Sequence, residues 1–148
     1  MAHPTRIFRN VRGSFNKYLQ SAFPTLAFNF GEADFDTGNL SRWVSVEYIS
    51  RTLNVKPSLI VQLTFFAKDD RFGSKAEDIC DQILDSLYED PANCDLKSIP
   101  VLDWLAPSTD KPMVGAMQVR PRQANKAVVD QYGVTNIAVT VELRQTRI

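Results

Sequence analysis

The stretch Leu59–Glu89, LIVQLTFFAKDDRFGSKAEDICDQILDSLYE, decides the fold. From Leu59 to Ala67 it is rich in β-branched and aromatic residues with apolar side chains on both faces, the pattern of a central strand covered on both sides. Lys68, Asp69, Asp70, Arg71, Phe72 and Gly73 break that strand. Ser74 then opens a helix, with Glu77 three residues on as the partner of a capping box. The helix is predicted to run to about Tyr88. Ala76, Ile79, Cys80, Ile83, Leu84, Leu87 and Tyr88 form its apolar side, and Glu77, Asp78, Asp81, Gln82, Asp85 and Glu89 a solvated acidic side.

Upstream, Ile7, Phe8, Val11, Phe15, Tyr18, Leu19 and Ala22 recur at three- and four-residue intervals and predict an amphipathic helix over Thr5–Ser21. Its other face carries Arg6, Arg9, Asn10, Asn16, Lys17 and Gln20, a cationic surface because no acidic residue precedes Glu32. Leu26, Phe28 and Phe30 alternate with Ala27 and Asn29 as in a half-buried strand. The stretch Gly31–Ser41 supplies turn formers and reads as a long hairpin loop into a second strand, Trp43–Ser50. A turn at Asn54–Pro57 leads into the decisive strand.

Downstream, Asp90–Asp95 is predicted as a loop, because Pro91 cannot continue the helix, and Ser98–Leu105 as a short strand. Met113–Val119 and Thr135–Leu143 read as further strands, the second by the alternation of Ile137, Val139, Val141 and Leu143 with polar or small residues. Between them Arg120, Pro121, Arg122, Gln123, Ala124, Asn125 and Lys126 form a basic, polar link. The sum is one α+β domain over residues 1–148, with two main helices on one face of an antiparallel or mixed sheet.

Composition removes several kinds of chemistry. Lys and Arg number 17 against 17 Asp and Glu, so the chain lacks the general basic field of a dedicated nucleic-acid binder. No apolar run approaches the roughly 18 residues of a membrane span, and a soluble, unexported protein is expected. The single histidine, His3, leaves no material for His-based triads or His/Cys zinc sites. Cys80 and Cys94 are expected to stay reduced, with Cys80 on the apolar face of a helix. No glycine-rich phosphate cradle is present.

Two acidic groupings invite a chemical reading. Asp34, Asp36, Gly38 and Asn39 resemble an oxygen-rich calcium loop, but the position of its fixed glycine falls on Asn39 and that of its bidentate glutamate on Ser45. Asp69 and Asp70, at the end of the central strand, stand where α/β enzymes keep catalytic carboxylates, with Asp103 as a candidate third member. The same residues also suit a strand-to-helix turn, where acidic groups favour the positive helix start. The aromatics Phe28, Phe30, Trp43, Phe65 and Phe66 read as sheet packing.

The order of elements, with the LIVQLTFFAKD strand, the SKAEDICDQILDSLYE helix and the closing IAVTVELRQT strand, resembles the tail terminator proteins of long-tailed bacteriophages. The resemblance spans nearly the whole chain and rests on layout. It implies a virion structural protein without catalytic site or cofactor, assembled in the host cytoplasm as a six-fold ring. Such a ring caps the tail tube, stops its polymerisation, offers a surface to neck proteins and lets DNA pass. The implied partners are further copies of the chain, the tube protein, a neck or connector protein and, transiently, genomic DNA. A closed ring needs two complementary patches per subunit. The acidic Asp78, Asp81 and Asp85 and the basic Arg6, Arg9, Lys17, Arg120, Arg122 and Lys126 are the expected interface or DNA-facing residues. Competing readings are another head-tail connector or tail completion protein, a small enzyme using Asp69, Asp70 or Asp103, and a stand-alone adaptor domain.

Overall fold

The computed structural model describes residues 7–32, 34–52, 58–106 and 111–146. His3, Arg6 and the expected turn at Asn54–Pro57 lie outside them. In chain order the elements are α1 (Ile7–Ala22), β1 (Ala27–Asn29), β2 (Arg42–Thr52), β3 (Ser58–Ala67), α2 (Ser74–Ser86), β4 (Tyr88–Asp90), β5 (Asp95–Leu96), β6 (Ile99–Leu102), β7 (Met113–Ala124), β8 (Val128–Val129) and β9 (Thr135–Thr146). The main sheet runs β1-β2-β3-β9-β7-β6 with β8 also on β9, while β4 and β5 form a separate two-stranded ribbon. This is an α+β fold with a mixed, mostly antiparallel sheet, as the sequence predicts.

β3 lies inside the sheet, between β2 and β9. Leu59, Val61, Leu63, Phe65 and Ala67 are buried, and lie opposite Leu143, Val141, Val139, Ile137 and Thr135 of β9. Both helices contribute to the same core, α1 through Val11, Phe15 and Leu19 and α2 through Ala76, Ile79, Cys80 and Ile83. Each fully buried Val, Leu, Ile or Phe among them contributes roughly 1.5–3 kcal/mol. The hydroxyl of Tyr18 in α1 donates to the carbonyl of Ser86 in α2 at 2.8 Å, so the helices share one layer.

α1 touches two strands that lie four places apart in the sheet. Asn10 and Ser14 bind the backbone at Trp104 and Leu102, at and just beyond β6, at 3.0 and 2.8 Å. On the other side Asn16 Oδ1 accepts from the Tyr48 hydroxyl of β2 at 2.7 Å. Strands spaced about 4.8 Å apart would hold β2 and β6 about 19 Å apart in a flat sheet, more than a helix of about 10–12 Å diameter covers. The sheet therefore curls around α1.

Several expectations are corrected. β1 pairs with β2 in parallel, Ala27 opposite Trp43, so Gly31–Ser41 is a crossover rather than a hairpin loop. β3 is buried on one face only: Ile60, Gln62, Thr64 and Phe66 on the other are half-exposed. The supposed link at 120–126 is largely strand, since β7 runs on to Ala124 through a bulge between Pro121 and Gln123. Asn10, expected on the solvated face of α1, is buried because its amide oxygen anchors Trp104, and Ala22 is exposed. α2 stops at Ser86, and Tyr88 enters a short ribbon whose strands β4 and β5 flank the expected loop, which Pro91–Cys94 forms.

Candidate functional site

The strand-to-helix turn after β3 shows what its carboxylates do. The N-cap of α2 is Gly73, at φ 80°, with no side-chain cap of its own, so the expected Ser74–Glu77 capping box does not form. Asp70 takes that role instead: its two carboxylate oxygens accept from the backbone N–H groups of Lys75 and Ala76, each at 2.9 Å. The Thr135 hydroxyl in turn donates to the Asp70 carbonyl, tying the turn to β9. Asp70 is buried because these donors replace its water.

Asp103 does not join it. It follows β6, whose Leu102 lies opposite Met113 of β7, and β7 reaches the Arg144 end of β9 through Gln118. Asp70 sits at the Thr135 end of the same strand. Nine residue steps of strand, Thr135 to Arg144, separate the two ends, about 30 Å. The three carboxylates considered for catalysis are thus divided between opposite ends of the sheet. In the 31–41 crossover, Asp36 accepts from the Gly38 N–H at 2.8 Å, closing a local turn, and the Lys68 ammonium binds the Thr37 and Gly38 carbonyls.

Each end of the sheet carries an unusual surface. At the Leu59 end a groove of about 330 Å³ opens between α1 and β2, lined by Phe8, Arg12, Tyr48, Ile49, Arg51 and Leu59 among others. The Arg51 guanidinium lies 4.3 Å from the Phe8 ring centroid and that of Arg12 5.9 Å from the Tyr48 ring. Neither has a carboxylate within salt-bridge distance among the described residues. Burial pushes the Tyr48 phenol above its ordinary range, against the opposing pull of Arg12. Ile49 is the extra residue of a β-bulge between Tyr48 and Ser50; it is exposed, and the shift in register after it brings Arg51 opposite Leu59.

At the Ala67 end, the turns Asp69–Gly73 and Asp130–Gly133 are joined by the Asp70 N–H donating to the Gly133 carbonyl at 3.3 Å. The cleft between them, about 540 Å³, is lined by Asp69, Asp70, Asp130 and Arg71, so carboxylates outnumber cations. Phe72 is 88% exposed and Tyr132 79% exposed. Two large rings are thus exposed at one end of the sheet, and aromatic side chains are enriched among the residues that carry protein contacts.

The residues expected to serve interfaces are distributed as follows. Arg9 and Lys17 are exposed on α1, and Asp78, Asp81 and Asp85 on α2, so both sets lie in the helix layer. Arg120, Arg122 and Lys126 are exposed along β7 and just beyond it. Arg122 is engaged within the chain, 3.3 Å from Glu142, which Arg144 also reaches at 3.2 Å. Arg120 and Lys126 have no such partner among the described residues. The basic residues therefore do not merge into one patch. Arg12, Arg51, Ile49, Phe72 and Tyr132 escaped the sequence analysis. The usable signal for the last two was an aromatic enclosed by turn formers, in RFG and QYG.

No family model matches the chain, and no curated protein matches it. A solved structure resembles it over 95% of this chain and 96% of the other, with TM-score 0.56 and 11% identity. That likeness concerns the fold alone.

Proposed function

We propose that this protein is a ring-forming structural subunit of a long-tailed bacteriophage virion, a tail terminator that caps the tail tube, stops its growth and receives the neck. It works without cofactor or catalysis. The observation that carries the reading is the pair of unlike surfaces at opposite ends of one sheet, cationic and aromatic at Arg12 and Arg51, anionic and aromatic at Asp69, Phe72 and Tyr132. A subunit of a closed ring needs two different, mutually complementary patches, whereas an enzyme needs its reactive groups gathered. Asp70 favours the same reading, since both of its oxygens are occupied by helix N–H groups. Tube and neck proteins, further copies and transiting DNA are the proposed partners, with Arg120 and Lys126 as candidate phosphate contacts.

Electron microscopy of particles produced with and without this gene tests the reading. Overlong tubes lacking heads are expected in its absence. Tubes of normal length without heads would make it a connector instead, and intact virions would overturn the proposal.

A further inference from the structure

We propose that the exposed aromatic turns of one copy dock into the arginine-lined groove of a second copy, forming a head-to-tail contact. Phe72 and Tyr132 project from turns at the Ala67 end of the sheet. The groove lies at the Leu59 end, about 30 Å away along β3. No chain can bring these surfaces together within itself, because the core that separates them is continuous. Two copies can.

The chemistry of the two surfaces matches. The groove offers the bulged Ile49, 47% exposed, beside two guanidinium groups that no described carboxylate neutralises. The opposite end offers the Tyr132 ring in a cleft lined by Asp69 and Asp130, with Arg71 as the opposing charge, and the exposed Phe72 ring next to Arg71 in the chain. An incoming ring would cover Ile49 and stack on guanidinium already held over Phe8 or Tyr48, while the neighbouring carboxylates meet the arginines. The first acidic residues of α2, Glu77 and Asp78, begin four and five residues after Gly73 and extend the anionic side of the contact. The two patches differ, so the contact is heterologous: repeated, it gives a ring if the rotation closes and a filament if it does not. Closure into a ring rests on the function proposed above; the contact itself does not.

Disulfide trapping tests it. In a Cys94→Ser background, Ser50→Cys combined with Gln131→Cys places one thiol beside each patch of the same chain and leaves Ile49, Phe72 and Tyr132 in place. Mild oxidation of the concentrated protein is expected to give a covalent ladder of dimers, trimers and higher species. Gln131→Cys paired with Gln123→Cys, on β7 and outside the groove, should form no ladder. Adding Arg51→Glu should slow the ladder at least about tenfold, and Arg51→Lys should retain most of it. The proposal is overturned if no ladder forms, if the control pair gives an equal one, or if Arg51→Glu leaves the rate unchanged. A ladder from a protein whose gene is dispensable for tails would keep the contact and remove the tail role. Overlong tubes without a ladder would do the reverse.

Discussion

Trp104 packs so closely on Gly13 of α1 that a β-carbon at position 13 would lie 2.8 Å from the indole ring. The indole N–H donates to the Ser14 hydroxyl at 3.2 Å, and the Trp104 backbone N–H to Asn10. One turn of α1 thus fixes the segment after β6 by close approach and by three hydrogen bonds, counting that from Leu102. Gly13→Ala gains about 1 kcal/mol of helix propensity and incurs about 1–3 kcal/mol of overpacking. The steric term wins. A net loss of about 1 kcal/mol is expected, seen as a fall of about 2–4 °C in melting temperature; a rise would show that Trp104 moves aside freely.

Asp70 and Ser74 make opposite predictions for the start of α2. Asp70→Ala removes the acceptor of two helix N–H groups and should cost about 1–3 kcal/mol in denaturant unfolding. Ser74→Ala should change stability by less than about 0.5 kcal/mol, because Ser74 supplies no cap. Equal effects would mean that the capping box operates after all.

The two cysteines should differ in reactivity. Cys80 is buried, and burial, then the charges of Asp81 and Glu77, push its thiol up to about 11. Cys94 is exposed. At pH 8 a thiol reagent should modify Cys94 rapidly and Cys80 only on unfolding.

The raised thiol also sets a pH dependence. The folded protein keeps the Cys80 proton at pH values where the unfolded chain, with an ordinary thiol near 9.0, has lost it. This contribution to stability is whole below pH 9.0 and declines as the pH rises towards about 11. Cys80→Ala should flatten the fall in stability over that window, and an identical slope in the variant would exclude Cys80 as its source.

Asp81 and Asp85 are exposed on α2, so changing both to Lys should leave unfolding within about 0.5 kcal/mol per site. The same variant is expected to fail in restoring normal tails to particles lacking the gene. Normal tails would remove the outer face of α2 from the assembly interface.

The local layout was legible because periodicity is a local property. The four-residue spacing of Val11, Phe15 and Leu19, the apolar β-branched and aromatic run from Leu59 to Ala67 and the alternation from Ile137 to Leu143 mark α1, β3 and β9, elements that contribute to the core. The acidic side of α2 and the basic side of α1 were visible for the same reason, and their described charged residues are exposed. Neutral net charge and a single histidine limited the chemistry before any fold was known.

Pairing and ends were decided by tertiary structure. The direction of β1 against β2 depends on how the 31–41 crossover travels, which no residue in it specifies alone. The bulges at Ile49 and Arg122 each insert one residue against a partner strand, and a one-residue insertion reverses which face a side chain takes. The bulge at Ile49 thus brings Arg51 opposite Leu59, on the face where its guanidinium reaches the Phe8 ring. Asp70 read either as a catalytic carboxylate or as an acidic group favouring a helix start, and the fold chose the second by turning the N–H groups of Lys75 and Ala76 onto it. Sequence determined which faces are apolar, since that follows from spacing along one element; only the fold decided which distant side chains share an end, since that follows from register between elements.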